Sequence, residues 1–189
     1  YSEDGVEADD LIAEAVNRWD EDVPKVIVSG DHDFHQLVRS RPRVSVLKPS
    51  QGKRSPAKAY SHRAVREEYG MDAEQLLDAW SLCGDKSDNI PGVKGVGFKT
   101  ARKLLARNNW SLEEAMKNEP RLAGWEETVY LNRRLIGLGT GDIEVALPVE
   151  LEECRLEKDN YDSEGLQKFL HKWEISSLRS KGKSIGIYG

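Results

Sequence analysis

The stretch Ile90–Leu105, IPGVKGVGFKTARKLL, restricts the fold more than any other part of the chain. Gly92, Gly95 and Gly97 fall within six residues and exclude a continuous helix. Ile90, Val93 and Val96 act as apolar pins before the turn closes. Ala101, Leu104 and Leu105 then repeat at helical spacing. The pattern is that of a helix–hairpin–helix at 90–105. Glycine lets backbone approach a phosphate, and free N–H groups at the start of the following helix can bind it. Gly92, Lys94, Gly95, Gly97, Lys99, Thr100, Arg102 and Lys103 are therefore candidate nucleic-acid contacts, made to backbone and not to bases. The competing reading is a plain helical turn with a solvated lysine face.

The charge distribution supports a polyanion partner. The net charge is −5. Residues 1–33 carry 11 acids and 2 bases, residues 34–107 carry 7 acids and 15 bases, and residues 108–189 carry 15 acids and 11 bases. An acidic head beside a basic middle suits a protein that holds cations in one place and a polyanion in the next. The loop bases Lys53, Arg54 and Lys58 are weaker candidates for phosphate contacts, equally readable as solvated. No apolar run approaches membrane length, and no membrane is expected as a partner. Cys83 and Cys154 lack CxxC spacing and read as free thiols of a reducing compartment.

The elements read as α/β. EADDLIAEAVNRW is an amphipathic helix, KVIVS (25–29) a short buried strand, and RVSVLKP (43–49) a second, alternating strand. Between them GDHDF is expected to enter a helix through Leu37 and Val38. This order predicts a partly parallel central sheet with flanking helices. From Ser61 onward the chain turns helical. HRAVREEYG ends at Gly70, DAEQLLDAWSLCG ends at Gly84, and Ser111 with Glu114 reads as a capping box. EETVYLNRRLIGLG and SEGLQKFLHKWEISSLR read as further helices, and IEVALP (143–148) as an extended segment. Residues 1–60 are thus the α/β part with the acidic set, and 61–189 the helical part.

Three acid groups stand out: Glu7, Asp9 and Asp10 at a helix start, Asp31 and Asp33 just after a strand, and Asp85 and Asp88 three residues apart. Singly, each has a plain explanation: dipole complementation, an Asp-rich turn, and helix capping near Gly84. Asp85 and Asp88 are expected one helical turn apart on one face. Together, seven carboxylates bracketing strand ends suggest convergence, with repulsion relieved by cations. Oxygen ligands favour Mg²⁺ or Mn²⁺ over zinc, and a pair of such ions can activate water against a phosphodiester. His32 and His35 have no cysteine near them and are expected at the surface or behind the ligands.

In their order and spacing GVEADDLIA, VSGDHDFHQLV and GDKSDNIPGVKGVGFKTARKLL resemble the 5′ nuclease (flap endonuclease) superfamily, notably its bacterial polymerase-linked and phage 5′–3′ exonuclease members. The resemblance implies a PIN-like 5′ nuclease core and a structure-specific 5′–3′ exonuclease or flap endonuclease acting in replication or repair. It implies a two-metal mechanism, with Glu7 and Asp9 matching ligands of the first ion and Asp10, Asp31, Asp33 and Asp88 the second group, Asp85 beside it. It implies DNA with a 5′ end, flap or nick, or an RNA–DNA hybrid, as substrate. A potassium ion around Val93–Val96, a monomer and a bacterial or phage-infected cytoplasm also fit it. The family begins with an Asp-Gly strand and a basic arch that do not precede Tyr1. The resemblance therefore implies a missing N-terminal segment or a partner chain, and poor activity of these 189 residues alone. The alternative is a DNA-structure-binding module or half of a split nuclease.

Overall fold

The computed structural model describes residues 6–19, 23–50, 55–140 and 163–172. The chain forms two compact units, Tyr1–Pro148 and Val149–Gly189. In the second unit, one helix (Ser163–Lys172) is described. Lys53, Arg54, Cys154, the IEVALP segment and the end of the last expected helix lie outside the described residues.

The first unit opens with α1 (Ala8–Arg18), whose Ala13 and Val16 are buried. Then follow β1 (Lys25–Val28), a single 3-10 turn (Asp33–Leu37), β2 (Arg39–Ser40), β3 (Arg43–Lys48) and β4 (Lys58–Tyr60). β1 pairs parallel with β3, Ile27 opposite Val46. β2 and β4 pair antiparallel with β3 along its other side. The partly parallel sheet expected from the sequence is present. Alternation divides the faces: Ile27, Val44, Val46 and Tyr60 are buried, whereas Val26 and Val28 are 59% and 65% exposed.

The GDHDF segment makes only one 3-10 turn. It is stopped at Val38, which is extended and buried, so the chain enters β2 directly. His35 is not at the surface: it is 4% exposed, donates to or accepts from the Tyr69 hydroxyl at 2.8 Å, and stacks on Tyr60 at 4.0 Å. Burial, with Lys48, Lys58 and His32 and against Glu68, pulls its imidazole down to about 4.

The helical half follows as α2 (His62–Tyr69), α3 (Leu76–Cys83), the two-residue strands β5 (Gly84–Asp85) and β6 (Ile90–Pro91), α4 (Phe98–Arg107), α5 (Leu112–Asn118) and α6 (Glu126–Ile136). Ser61 caps α2 by accepting the Ala64 N–H, and Gly70 ends it with a left-handed φ of 70°. α3 is the centre of this half. Leu76, Leu77, Ala79, Trp80, Ser81 and Leu82 are all buried, and the helix packs against both α4 and α6. A helix apolar on nearly every side must be enclosed, and Leu76 and Leu82, fully buried, each contribute about 2 kcal/mol by leaving water. Ser81 satisfies its hydroxyl on the Leu77 carbonyl at 2.7 Å.

The capping box expected at Ser111 is half made. Ser111 Oγ accepts the Glu114 N–H at 3.2 Å, but the Glu114 carboxylate takes the Asn109 amide at 2.9 Å instead. A complete box stands at Asp72 and Gln75, ahead of α3. No described helix is long and apolar enough to cross a membrane.

Candidate metal centre and nucleic-acid interface

Two segments far apart in the chain bring the carboxylates together. Asp31 follows β1 at the carboxyl end of the sheet. Its N–H donates to Ser29 Oγ at 3.1 Å, and its Oδ1 accepts the Asp33 N–H at 3.0 Å. This aspartate turn aims both acids outward from the strand end, where open α/β sheets hold their sites. Asp85 and Asp88 lie on the β5–β6 hairpin, not on a helix. Gly84 ends α3 with a φ of 71°, and residues 86–89 form the tight turn. The carboxylates of Asp33, Asp85 and Asp88 have oxygens within 4.8 Å of one another, and Asp31, His32 and Asp33 form a second such group.

Electrostatics distinguishes these acids. Asp33 is 9% exposed and its Oδ1 is buried with no hydrogen-bond donor. Burial pushes its carboxyl up, His32 pulls it back, and Asp31, Asp85 and Asp88 push it further, to about 6. Asp85 is equally buried, and burial pushes it up too. Hydrogen bonds outweigh this: its Oδ1 accepts the Ser87 hydroxyl and the Ser87 N–H (2.6 Å), its Oδ2 accepts from His32 Nε2 (3.0 Å), and the carboxyl ends below the ordinary range.

His32 stands among the acids. Nε2 is 3.5 Å from Asp33 Oδ1, and Nδ1 is 3.8 Å from Asp31 Oδ1. Its ring also meets Trp80 edge-on at 5.5 Å. The expectation that it lies at the surface or behind the ligands misses this position, because nothing local in the sequence marks a histidine for it.

The acids of α1 are placed less tightly. Asp9 is pushed up by burial and by the charges of Asp31, Glu7, Asp10 and Asp88, so it faces the cluster. Glu7, at the α1 N-cap, makes no side-chain capping bond. Neither Glu7 nor Asp10 belongs to the two close groups found among the described residues. An unpartnered buried carboxylate oxygen beside three further carboxylates and one imidazole is a donor set that suits a hard divalent cation.

The glycine stretch folds as a tight turn. Val93 and Val96 are buried, as are Ala101, Leu104 and Leu105 of α4. The Val93 N–H bonds the Leu82 carbonyl at 2.9 Å, and Val96 N–H bonds Val93 at 2.9 Å. Gly95 has a φ of 77°, and a Cβ added to Gly95 or Gly97 would meet nothing within 4 Å. Backbone is therefore open to the outside at both. Lys94, Lys99 and Lys103 are exposed around it, with Thr100 half-buried in the first turn of α4.

Three of the candidate contacts differ from the rest. Gly92 is there for packing, because a Cβ would lie 2.1 Å from the Cys83 carbonyl. Arg102 donates to the Tyr69 carbonyl at 3.1 Å, which engages its guanidinium inside the fold. Lys58 pairs with Glu68 and lies over the Tyr60 ring at 4.5 Å. Cys83 is a free thiol that burial pushes up to about 11.

Two family models match adjoining stretches of the chain: the 5′-3′ exonuclease N-terminal resolvase-like domain over residues 1–70, and the 5′-3′ exonuclease C-terminal SAM fold over residues 71–162. The chain belongs to the 5′ nuclease superfamily. Among curated relatives, it is 36% identical over 180 residues to a thermostable DNA polymerase I of Thermus filiformis, covering 92% of this chain and 20% of that protein. It is 34% identical over 184 residues to the DNA polymerase I of Caldicellulosiruptor bescii, covering 93% and 21%. Among solved structures, a mutant T5 5′-exonuclease aligns with a TM-score of 0.62 at 25% identity, over 74% of this chain and 58% of that one. A bacteriophage T5 flap endonuclease, solved as a complex with DNA and metal ions, aligns at 0.62 and 24% over 74% and 53%. The chain thus spans about a fifth of the length of these curated relatives.

Proposed function

We propose that the chain is the metal-binding and duplex-gripping part of a structure-specific 5′ nuclease, a cytoplasmic 5′–3′ exonuclease or flap endonuclease encoded by a bacterium or a phage. Its substrate is DNA with a 5′ end, flap or nick. The observation that carries this reading is the buried Asp33 oxygen, without a donor, facing Asp31, Asp85 and Asp88. Asp33, Asp85 and Asp88 would hold one Mg²⁺ or Mn²⁺ ion. Asp31 and Asp33, with Asp9 facing them and Glu7 and Asp10 at the same end of α1, would hold a second. Bound there, such ions supply an activated water and charge for the leaving oxygen of a phosphodiester.

The chain's own residues do the rest. The open backbone of Gly95 and Gly97 and the first-turn N–H groups of α4 take a phosphate, with Lys94, Lys99 and Lys103 around it. Asp33 Oδ1 makes no hydrogen bond, because the nearby His32 Nε2, 3.5 Å away, is bonded to Asp85. Ser87 and His32 fix Asp85 in one orientation. The 1–60 and 61–189 parts then divide the work, cutting in the first and gripping in the second, with Asp85 and Asp88 lent across.

A second reading, a gripping half that cuts only with a further polypeptide, is favoured by β1. Val26 and Val28 are exposed on a strand that pairs with β3 alone among the described strands, and parallel sheets are normally covered on both faces. A cleavage assay on a 5′-flap duplex with Mg²⁺ separates the two. Robust cutting by the 189 residues alone would sink the second reading. Ion binding is tested separately by thermal unfolding: Mn²⁺ at roughly a hundred times its Kd is expected to add about 2.7 kcal/mol. An unchanged Tm would remove the metal centre.

The grip has its own test. Gly97 has an ordinary extended backbone, with φ −91°, and open space where a Cβ would go. Gly97→Ala is therefore expected to leave stability within about 1 kcal/mol and to weaken duplex binding about tenfold, because the methyl stands where a phosphate approaches. Unchanged affinity by fluorescence anisotropy would move the grip elsewhere.

A further inference from the structure

Helix α6 reaches both acid-bearing segments. Its Asn132, 2% exposed, donates one amide hydrogen to the Ser81 carbonyl in the last turn of α3 (3.1 Å) and the other to the Pro91 carbonyl on β6 (2.8 Å). Those carbonyls flank the hairpin that carries Asp85 and Asp88. Where α6 ends, it holds the other segment. Gln36 Nε2 donates to the Ile136 carbonyl at 3.0 Å, and Gln36 Oε1 accepts the Leu138 N–H at 3.0 Å. Gln36 belongs to the 3-10 turn that begins at Asp33.

The carboxylates on these segments repel one another, and the hydrogen bond that crosses between them, from His32 to Asp85 at 3.0 Å, joins two groups of the cluster itself. Fixed points independent of the acids lie outside it, on α6. An Asn amide on two helix-end and strand carbonyls has one orientation only, and a Gln that both donates and accepts at a helix end is likewise registered. We propose that α6 is a brace that sets the gap between Asp31–Asp33 and Asp85–Asp88, with Asn132 and Gln36 as positioning residues for the ion site. The proposal rests on the metal reading above.

The test measures Mn²⁺ affinity of the full chain from the free-ion EPR signal. Asn132→Ala and Gln36→Ala are each expected to weaken binding about tenfold, as residues that orient ligands do. The double variant should fall well short of the hundredfold product, since either change already releases the same gap. Leu122→Val, remote in the core, should lower Tm without moving Mn²⁺ affinity. Duplex binding at the hairpin should be unchanged in Gln36→Ala. If Asn132→Ala does not fold, Gln36→Ala on half-buried Gln36 still decides the matter. Unchanged affinity in Gln36→Ala, independent multiplication of the two losses, or an equal loss in Leu122→Val overturns the brace. Absence of Mn²⁺ binding by the unaltered chain overturns the metal reading and the brace with it.

Discussion

Asp33→Asn is expected to abolish Mg²⁺-dependent cleavage in the active nuclease, by about a thousandfold or more, while stabilising the ion-free fold. The two effects share one cause. A buried carboxylate oxygen with no hydrogen bond is held in place against repulsion and desolvation, which His32 offsets in part and a bound cation would offset further. In the ion-free chain its pKa rises from 3.8 to about 6. A carboxyl raised by folding weakens the fold above that pH, and the penalty is relieved as pH falls through 6 toward 3.8. Asparagine removes a penalty on the order of 2 kcal/mol at pH 8.

His35 works in the opposite sense over nearly the same range. Its pKa falls from 6.5 to about 4 on folding, so its contribution is complete above pH 6.5 and is lost as pH falls to about 4. In the parent chain the two groups largely offset each other between pH 4 and 6.5. In Asp33→Asn only the histidine loss remains, and stability should decline with acid by about 2–3 kcal/mol. Urea unfolding of both proteins at several pH values reads this directly. Parallel curves would show that Asp33 does not titrate as its surroundings dictate, a variant curve flat below pH 6.5 would show the same of His35, and undiminished turnover would remove Asp33 from the ion site.

The second large effect is expected at Gly92. Its Cβ would lie 2.1 Å from both the carbonyl carbon and oxygen of Cys83 and 2.6 Å from the Gly84 nitrogen. Gly84 faces the same crossing, with the Gly92 nitrogen and the Ile90 oxygen each 2.4 Å from its own missing Cβ. These neighbours are backbone on both sides and cannot swing away. Gly92→Ala should therefore cost about 3 kcal/mol or more and displace the hairpin with Asp85 and Asp88. Ion binding and cleavage should fall together with Tm, in contrast to Gly97→Ala, which spares both stability and ion binding. A Gly92→Ala chain with parental Tm would mean that the crossing opens freely.

The parts of the fold readable from sequence were those with local patterns. KVIV and RVSVLK announce themselves by apolar content and alternation, and the hairpin by glycines set against buried valines. Pairing across the chain has no local signature. His32 and Asp85 are 53 positions apart, and their contact follows from how the sheet meets α3. A three-residue spacing reads equally as one helical turn or as a hairpin turn, and Asp85 and Asp88 take the latter because Gly84 leaves the helix at a positive φ of 71° with ψ extended. The seven acids could be gathered as a set, but not ranked: which of them lacks a donor depends on neighbours such as Ser87. Asn132 did carry a signal. It shares the buried face of α6 with Val129 and Ile136, and a polar residue at a core position implies buried partners.

The contact between His32 and Trp80 gives the centre an optical handle. The indole is 5% exposed and meets the imidazole edge-on, so its emission reports on what stands against that edge. Any rearrangement that takes His32 off Asp85 to admit a cation alters the indole's surroundings without moving the core around it. A chain keeping its other tryptophans as phenylalanine would signal the state of its own acid cluster by fluorescence alone.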